Sequence, residues 1–163
     1  ENYIKKNKSK IRIDFSNLAM LESIDVITVC RFVEQKNIYE IIKIAQLIKE
    51  INFVIIGDGH LFSEVKRYLK KNLVRNVFLL GQKENIYDFL SISSVYLSTS
   101  LYEGLPISIL EAMSVGLPIV ASNVIGNCDT IAHGKTGFLY QLGNPSSAAK
   151  YIKKFFYNED YKN

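Results

Sequence analysis

Short β-rich apolar runs alternate with segments of helical periodicity from residue 24 onward, and this alternation limits the possible folds more than any other feature. The runs are rich in Val, Ile, Leu and Phe, as expected of strands that are covered on both faces. Strands are predicted at residues 25–30, 52–56, 76–80, 94–97 and 117–121. Helices are predicted between and after them, at residues 38–48, 61–69, 86–91, 106–115 and 146–157. The pattern predicts an α/β fold, a Rossmann-like doubly wound parallel sheet with helices on both faces, whose ligands bind at the C-terminal ends of the strands.

Length and composition fit a single domain. The chain has 163 residues, of which 48% are hydrophobic and 22% are charged. Residues 24–163 are assigned to this domain, and residues 1–23 are predicted to form an edge strand or an interdomain segment. Cys30 and Cys128 are too few for a disulfide scaffold or a four-cysteine zinc site, which favours a reducing compartment. No apolar run reaches about 18 residues, and the charged start lacks the apolar core of a signal peptide, so neither a membrane span nor a leader is expected.

The charge balance is modestly basic. A formal net charge of +4 is enough to attract phosphates or an anionic membrane face, but it requires neither. Two clusters supply much of the excess, one at residues 5–12 and one at residues 66–71 within a predicted helix. Solvated surface lysines are the simpler interpretation of both clusters.

The segment of residues 98–113 combines several features of an anion-binding loop. Gly104 permits a close backbone approach, and Pro106 suits the first turn of the helix that follows. The free N–H groups and the dipole at this helix start favour a negatively charged ligand. Glu103 precedes the helix and Glu111 lies within it. Two carboxylates beside an anion site suggest acceptors for hydroxyl groups, as sugars provide, but Glu103 as a helix cap and Glu111 as a solvated helix residue fit the sequence as well.

Two cations follow the first predicted strand, near the same edge of the sheet. Arg31 can bind phosphate oxygens with two donors and Lys36 can act as a compact point charge, so the pair could hold a diphosphate; two surface cations in a loop are the alternative. The glycine-rich turn around Asp58 lacks the third glycine of a dinucleotide fingerprint, and Asp58 is expected to cap the next helix. His60 and His133 lack metal-ligand spacing, so no metal site is predicted.

The landmark residues follow one another along the chain in an order that resembles the C-terminal, nucleotide-sugar-binding domain of a retaining GT-B glycosyltransferase of the large family 4 type. The most specific part of the resemblance is the pair Glu103 and Glu111 in its sequence context. The other landmarks, within residues 25–157, are Arg31 with Lys36 and Asn37, the turn 57–59, and the segments 78–81, 116–121 and 134–137. Cys30 stands where the family commonly has glycine, and Leu105 with Pro106 replaces a frequent aromatic–glycine pair, so the donor sugar stays open.

The resemblance implies a role for each landmark residue. Glu111 would accept hydrogen bonds from ribose hydroxyls, Glu103 would contact the donor sugar, and Arg31 and Lys36 would hold the diphosphate. Glu103, Arg31 and Lys36 are the implied catalytic residues. The implied donor-binding set is Arg31, Lys36, Gly81, Gln82, Glu103, Gly104, Leu105, Ile107 and Glu111. Within this set, the backbone N–H groups around Gly104, Leu105 and Ile107 would be open donors to the ligand, and the backbone at Gly81 and Gln82 would contact the base. The implied donor is a nucleoside-diphosphate sugar, with UDP or GDP as the expected nucleotide, and no cofactor or metal ion is expected.

The implied function is transfer of a hexosyl unit to a glycan or lipid-linked acceptor in bacterial surface polysaccharide synthesis, as in capsule or lipopolysaccharide. The acceptor would contact an N-terminal domain that this chain does not include, so the isolated domain is expected to be inactive. We expect a cytoplasmic location at the inner face of the plasma membrane, with peripheral membrane association and no nucleic-acid partner. Two alternatives share the architecture: half of a sugar-nucleotide epimerase, and a non-catalytic doubly wound interaction module.

Overall fold

Six parallel strands form one sheet at the centre of the computed structural model, which describes residues 23–158. The strands are β1 (Ile24–Val29), β2 (Phe53–Ile56), β3 (Val77–Gly81), β4 (Ser93–Ser98), β5 (Ile119–Ser122) and β6 (Phe138–Tyr140). Their order across the sheet is β3-β2-β1-β4-β5-β6, and every neighbouring pair is parallel. The prediction of a parallel, doubly wound sheet is therefore confirmed.

Six α-helices cover the two faces of the sheet. They are α1 (Ile38–Leu47), α2 (Phe62–Lys71), α3 (Ile86–Ser91), α4 (Ile107–Ser114), α5 (Asn127–Thr130) and α6 (Pro145–Tyr157). One apolar cluster joins the sheet to the buried stripes of α1, α2 and α6, and a second joins it to those of α3 and α4. The helical spacing of apolar residues explains this, because each helix buries one side and exposes the other. Within residues 23–158, no helix is both long and apolar enough to cross a bilayer.

The sheet order creates a crevice between β1 and β4. From β1 the chain winds outward through β2 and β3, and from β4 it winds in the opposite direction through β5 and β6. The loops that leave the C-terminal ends of these two central strands therefore diverge. Ligands of doubly wound sheets bind at such a switch point.

Two details differ from the sequence predictions, and a third lies outside the described residues. Pro106 stands one residue before α4, at its N-cap, with φ −79° and ψ 73°. Asp58 does not cap α2, because the helix starts at Phe62 and the carboxylate instead accepts a hydrogen bond from the neighbouring Gly59 N–H at 2.7 Å. The predicted edge strand or interdomain segment at residues 1–23 falls almost wholly outside residues 23–158.

Candidate functional site

A cleft of about 660 Å³ lies at the switch point, at the C-terminal ends of the central strands. Its walls come from the loops after β1, β2 and β3, and from the loop that joins β4 to α4. Polar and charged lining residues are Cys30, Arg31, Gln35, Lys36, Asp58, Gln82, Lys83, Glu103, Ser108 and Glu111. The volume falls within the range of small-molecule and cofactor sites.

Most of the predicted donor-site residues meet in this cleft. Those that line it are Arg31, Lys36, Gln82, Glu103, Leu105, Ile107 and Glu111. Gly81 and Gly104 do not line the cleft themselves but immediately precede lining residues. At Gly81 the chain turns sharply with φ +69°, and its carbonyl accepts a hydrogen bond from Gly57 N–H at 2.9 Å. The sheet topology thus brings together predicted residues from three separate segments of the sequence, 31–36, 81–82 and 103–111.

Lys36 and Glu103 form an ion pair at the floor of the cleft. The Lys36 ammonium lies 2.5 Å from Glu103 Oε1, and the two side chains are only 15% and 9% exposed. Ser100 donates a second hydrogen bond to the same oxygen at 2.6 Å. Glu103 therefore neutralises Lys36 instead of capping α4, so the helix-cap alternative is wrong. A partly buried ammonium requires such a partner, because removing a charge from water is costly unless it is paired.

The loop that carries Lys36 is attached to the loop after β4 by several hydrogen bonds. Thr99, which is 1% exposed, donates its hydroxyl to the carbonyls of Lys36 and Asn37 at 2.9 and 3.1 Å. The backbone N–H of Leu101 donates to the carbonyl of Gln35 at 2.8 Å. The Gln35 side-chain amide in turn donates to the carbonyl of Tyr102 at 2.9 Å. These contacts fix the Lys36 and Glu103 backbones relative to each other.

A buried carboxylate supports the same loop from behind. Asn37 has the left-handed conformation with φ 48°, and its side chain donates to Glu40 at 2.8 Å. Glu40 is 6% exposed and also accepts a hydrogen bond from Gly143 N–H at 3.1 Å. Burial, together with the nearby Glu40 carboxylate, raises the pKa of the Tyr140 phenol. Glu40 therefore connects the cation-bearing loop to the segment that leads into α6.

Two glycines allow the backbone segments around the cleft to approach closely. Gly57 has φ +134°, and a Cβ at this position would lie 1.9 Å from the carbonyl oxygen of Cys30. Gly126 has φ +85°, and its Cβ would lie 2.5 Å from the carbonyl oxygen of Glu103. A side chain at either position would clash with the facing backbone and push the cleft loops apart. Glycine avoids this clash because it has no Cβ.

The Cys30 thiol belongs to the same floor. It lines the cleft, and burial raises its pKa to about 12, while the nearby Lys36 lowers the pKa and Glu103 raises it. The thiol is thus protonated at neutral pH and behaves as a small apolar group. Cys30 thus places a small, uncharged side chain at a position where the family 4 type glycosyltransferases that the sequence resembles commonly have glycine.

The start of α4 forms the wall opposite the cations. Ser108 and Glu111 line the cleft from the first two turns, and Glu111 is half-buried, so it is not the fully solvated helix residue of the alternative interpretation. The N–H of Ile107 already donates to the carbonyl of Leu105 at 2.9 Å. This corrects the expectation that the Ile107 amide would be open to a ligand, because the turn before the helix uses it internally.

Sequence reasoning missed several residues that shape the site. Gln35, Ser100 and Ser108 were not predicted, although each contacts or lines the cleft floor. One signal was available: Thr99 and Ser100 are polar residues directly after an apolar strand, where a buried hydroxyl needs a partner. The pairing partners themselves are distant in sequence, and only the fold brings them together.

Comparison with known families identifies the chain. The sequence profile of the family described as glycosyl transferases group 1 matches residues 9–163. The chain belongs to this family. Membership favours the glycosyltransferase interpretation over the epimerase and interaction-module alternatives.

Two curated relatives are similar to this group 1 glycosyltransferase chain. The UDP-Gal:α-D-GlcNAc-diphosphoundecaprenol α-1,3-galactosyltransferase of Escherichia coli is 40% identical over 103 residues, which cover 62% of the chain and 27% of the relative. The poly(ribitol-phosphate) α-N-acetylglucosaminyltransferase of Staphylococcus aureus strain COL is 32% identical over 137 residues, which cover 80% and 28%. The chain therefore spans little more than a quarter of each relative's length.

A solved glycosyltransferase structure has the same fold. A mutant form of S. aureus TarM, crystallised with fondaparinux, α-GlcNAc-glycerol and UDP, superposes with a TM-score of 0.79 at 29% identity. The match covers 91% of the chain and 32% of the TarM chain. The six-stranded sheet with helices on both faces is thus the Rossmann-like domain of GT-B glycosyltransferases.

Proposed function

We propose that the chain is the C-terminal, nucleotide-sugar-binding domain of a retaining glycosyltransferase of the family 4 type. The observation that carries the proposal is the cleft at the switch point. It combines the cations Arg31 and Lys36, the carboxylates Glu103 and Glu111, and the start of α4. A diphosphate flanked by a ribose and a hexose presents the charges and hydroxyl groups that such a set would bind.

Each part of the donor has a partner in the cleft. Arg31 and Lys36 hold the diphosphate, and Glu111 accepts hydrogen bonds from the ribose hydroxyls. The backbone around Gly81 and Gln82 contacts the base. Oε1 of Glu103 accepts hydrogen bonds from Lys36 and Ser100. Its other oxygen, Oε2, accepts a hydroxyl of the donor sugar.

The same arrangement serves the chemistry of transfer. Breaking the bond between sugar and diphosphate builds negative charge on the leaving group. Arg31, Lys36 and the positive end of the α4 dipole are fixed where that charge develops, so they stabilise the transition state without reorganisation. Losing one such contact is expected to cost about 3 kcal/mol of transition-state stabilisation. We propose that this electrostatic role is filled by the chain's own groups, without a metal ion or cofactor.

The relatives support the substrate class. UDP appears in the name of the E. coli galactosyltransferase and in the TarM complex, which favours UDP over GDP as the nucleotide of this chain. The E. coli acceptor is diphosphoundecaprenol-linked and the S. aureus acceptor is poly(ribitol-phosphate). We therefore propose hexosyl transfer to a lipid-linked or polymeric acceptor in bacterial surface glycan synthesis, at the cytoplasmic face of the plasma membrane.

The chain would perform only the donor half of this reaction. It spans about a quarter of its relatives' length, and GT-B active sites lie between two domains. We propose that a preceding domain supplies the acceptor site, so the 163-residue chain alone binds donor but does not transfer sugar.

A thermal-shift panel tests the proposal. UDP, GDP, ADP and CMP are added in turn to the chain, to Arg31→Ala and to Glu111→Ala; Lys135→Ala and Asp88→Ala serve as controls because these exposed residues lie outside the cleft. A ligand that binds the folded state raises its stability by RT ln(1 + [L]/Kd). We expect UDP to stabilise the chain and both controls, with the shift lost in the two cleft variants. The absence of any shift at millimolar nucleotide, or an equal loss in the controls, would contradict it.

A further inference from the structure

Positive charge is concentrated on one of the two helix layers. The layer of α1, α2 and α6, with the turns 48–50 and 72–75 that follow α1 and α2, is called the basic face below. It carries ten of the fourteen Lys and Arg residues within the described part of the chain. They are Lys43, Lys49, Lys66, Arg67, Lys70, Lys71, Arg75, Lys150, Lys153 and Lys154. Only two exposed carboxylates, Glu50 and Glu64, lie among them.

The opposite helix layer has the reverse charge. Helices α3, α4 and α5 contain no Lys or Arg, but they contain Asp88, Glu111 and Asp129. Charges that serve only solubility would be interspersed over both layers. The segregation instead gives the domain one strongly cationic side, which is the electrostatic signature of a surface that meets an extended anion.

The basic face also exposes aliphatic side chains. Leu47, the last residue of α1, is 50% exposed, and Leu73 is 73% exposed. Leu73 has φ 52°, the left-handed conformation that Gly or Asn adopts at the end of a helix with less strain. Leu73 is thus unfavourable in two respects: its left-handed backbone favours Gly or Asn, and its exposure to solvent favours a polar side chain. Leu47 ends α1 and Leu73 follows α2, and both helices run back from the cleft, so the two leucines lie at the end of the layer remote from the proposed donor site.

A shallow hollow lies beside Leu47 on the same face. Its volume is about 280 Å³, and it is lined by the apolar Leu47, Ile48 and Ala149 together with Ser146, Lys150 and Lys153. Lys153 is also paired with Glu50 at 3.6 Å. A lining of apolar residues and lysines suits a phospholipid, because its phosphate is negative and its acyl chains are apolar.

We propose that the basic face docks the chain onto an anionic phospholipid bilayer, with Leu47 and Leu73 entering the interface. The lysines supply electrostatic attraction and the leucines supply apolar burial, the two components of peripheral membrane binding. Nucleic acids and other anionic polymers match the charge of the basic face, but they offer no apolar phase in which the exposed leucine side chains could be buried. The proposal extends the proposed function, which places the enzyme at a membrane, but it concerns a surface separate from the nucleotide cleft.

Vesicle co-sedimentation of the 163-residue chain tests the proposal. The vesicles consist of phosphatidylcholine with or without phosphatidylglycerol. Lys70→Glu with Lys71→Glu reverses two charges on the basic face, and Lys83→Glu with Lys135→Glu makes the same change in net charge elsewhere. Since one cation near an anionic surface changes partitioning by about fivefold, the first pair should weaken binding by roughly 25-fold or more and the second pair much less.

Leu73→Asn separates membrane contact from folding. Asn tolerates the left-handed conformation better than Leu, so the variant should melt no lower than the native chain. Loss of the apolar side chain should nevertheless weaken binding to anionic vesicles by roughly tenfold. A decrease in binding with unchanged melting temperature therefore reports the interface and not a folding defect.

The outcomes distinguish this proposal from the nucleotide proposal. Salt-sensitive binding to phosphatidylglycerol vesicles that depends on Lys70, Lys71 and Leu73 supports the membrane face. No binding at low salt, equal loss in the control pair, no effect of Leu73→Asn, or tighter binding to single-stranded RNA than to vesicles would overturn it. The UDP thermal shift is measured in the Lys70→Glu/Lys71→Glu and Leu73→Asn variants, whose substituted residues lie outside the cleft. Retention of that shift shows that the cleft is intact, whatever the result of the vesicle experiment.

Discussion

Replacement of Glu103 by Gln is expected to lower the stability of the domain and to raise its affinity for UDP. In the ligand-free cleft, the Glu103 carboxylate neutralises the Lys36 ammonium at 2.5 Å, with both side chains largely withdrawn from solvent. Gln preserves the size of the side chain and can still accept the Ser100 hydroxyl. The variant therefore removes one negative charge with little change in shape, and leaves Lys36 without its counter-ion.

The structure gives a magnitude for both effects. Removing one partner of a buried ion pair costs about 3–5 kcal/mol. Since Lys36 is 15% exposed, hydration compensates part of this cost, and we expect a loss at or just below the lower limit, about 2–3 kcal/mol in the free energy of unfolding. The nucleotide diphosphate would then meet an ammonium that is no longer neutralised. One charge removed at the partly solvated cleft floor is worth about 1 kcal/mol, which predicts UDP binding about fivefold tighter.

Urea unfolding and isothermal titration with UDP measure the two effects separately. Lys36→Met should lose UDP affinity, because it removes the charge that faces the phosphates. The double variant Lys36→Met with Glu103→Gln should regain most of the stability, because no uncompensated charge remains. The interaction energy from this double-mutant cycle should exceed about 1 kcal/mol, as for residues in direct contact.

Glu111→Gln is the matched control for this prediction. It neutralises the other carboxylate of the pair, which is half-buried on α4. UDP affinity should fall, because a carboxylate accepts ribose hydroxyls better than an amide does, while stability should change little. If Glu103→Gln instead weakens UDP binding as Glu111→Gln does, and leaves the unfolding curve unchanged, the assignment of Glu103 as the counter-ion of Lys36 is refuted.

Three further predictions concern neighbouring groups. Thr99→Val removes two hydrogen bonds to the loop carbonyls of Lys36 and Asn37, so urea unfolding should show a loss of about 1–3 kcal/mol, and UDP titration a weaker affinity; unchanged values of both would contradict the loop attachment. Burial raises the pKa of Asp25, so its ionised form destabilises the folded state as pH rises above the ordinary Asp range; Asp25→Asn should raise the melting temperature at pH 7, and this gain should shrink towards pH 4. Because the pKa of Cys30 is about 12, its thiol in a Cys128→Ser variant should react at pH 8 on the order of a thousandfold more slowly than an ordinary exposed thiol, as Ellman's reagent would measure.

The parallel sheet could be predicted because its signals are local. Apolar runs such as residues 52–56 match strands that are buried on both faces, and the structure has β2 at Phe53–Ile56. The apolar faces of the helices could be predicted in the same way, and Ile41 of α1 and Val65 of α2 are buried as their spacing indicates. Capping was less predictable, since Asp58 has the right residue type but bonds to its neighbouring Gly59. Several cap partners compete for such a carboxylate, and tertiary structure selects among them.

The location of the site could also be predicted, because the topology rule places ligands at the C-terminal ends of the strands. The contacts within it could not be predicted. The pairing of Lys36 with Glu103 joins residues 67 positions apart, and the Thr99 bond to Lys36 spans 63. Such pairs depend on the angle between two loops, which short-range patterns do not encode. For the same reason the internal use of the Ile107 amide appears only in the folded turn.

Titration of UDP into the isotope-labelled 163-residue chain, followed by backbone amide NMR, tests the central claim most directly. Binding at the switch point predicts shift changes concentrated at the cleft loops, residues 31–36, 81–83 and 104–108, and their loss in Arg31→Ala. Amides of the basic face should stay unchanged. Changes confined to α2 and α6, or none at millimolar UDP, would contradict the claim that this cleft is the donor site.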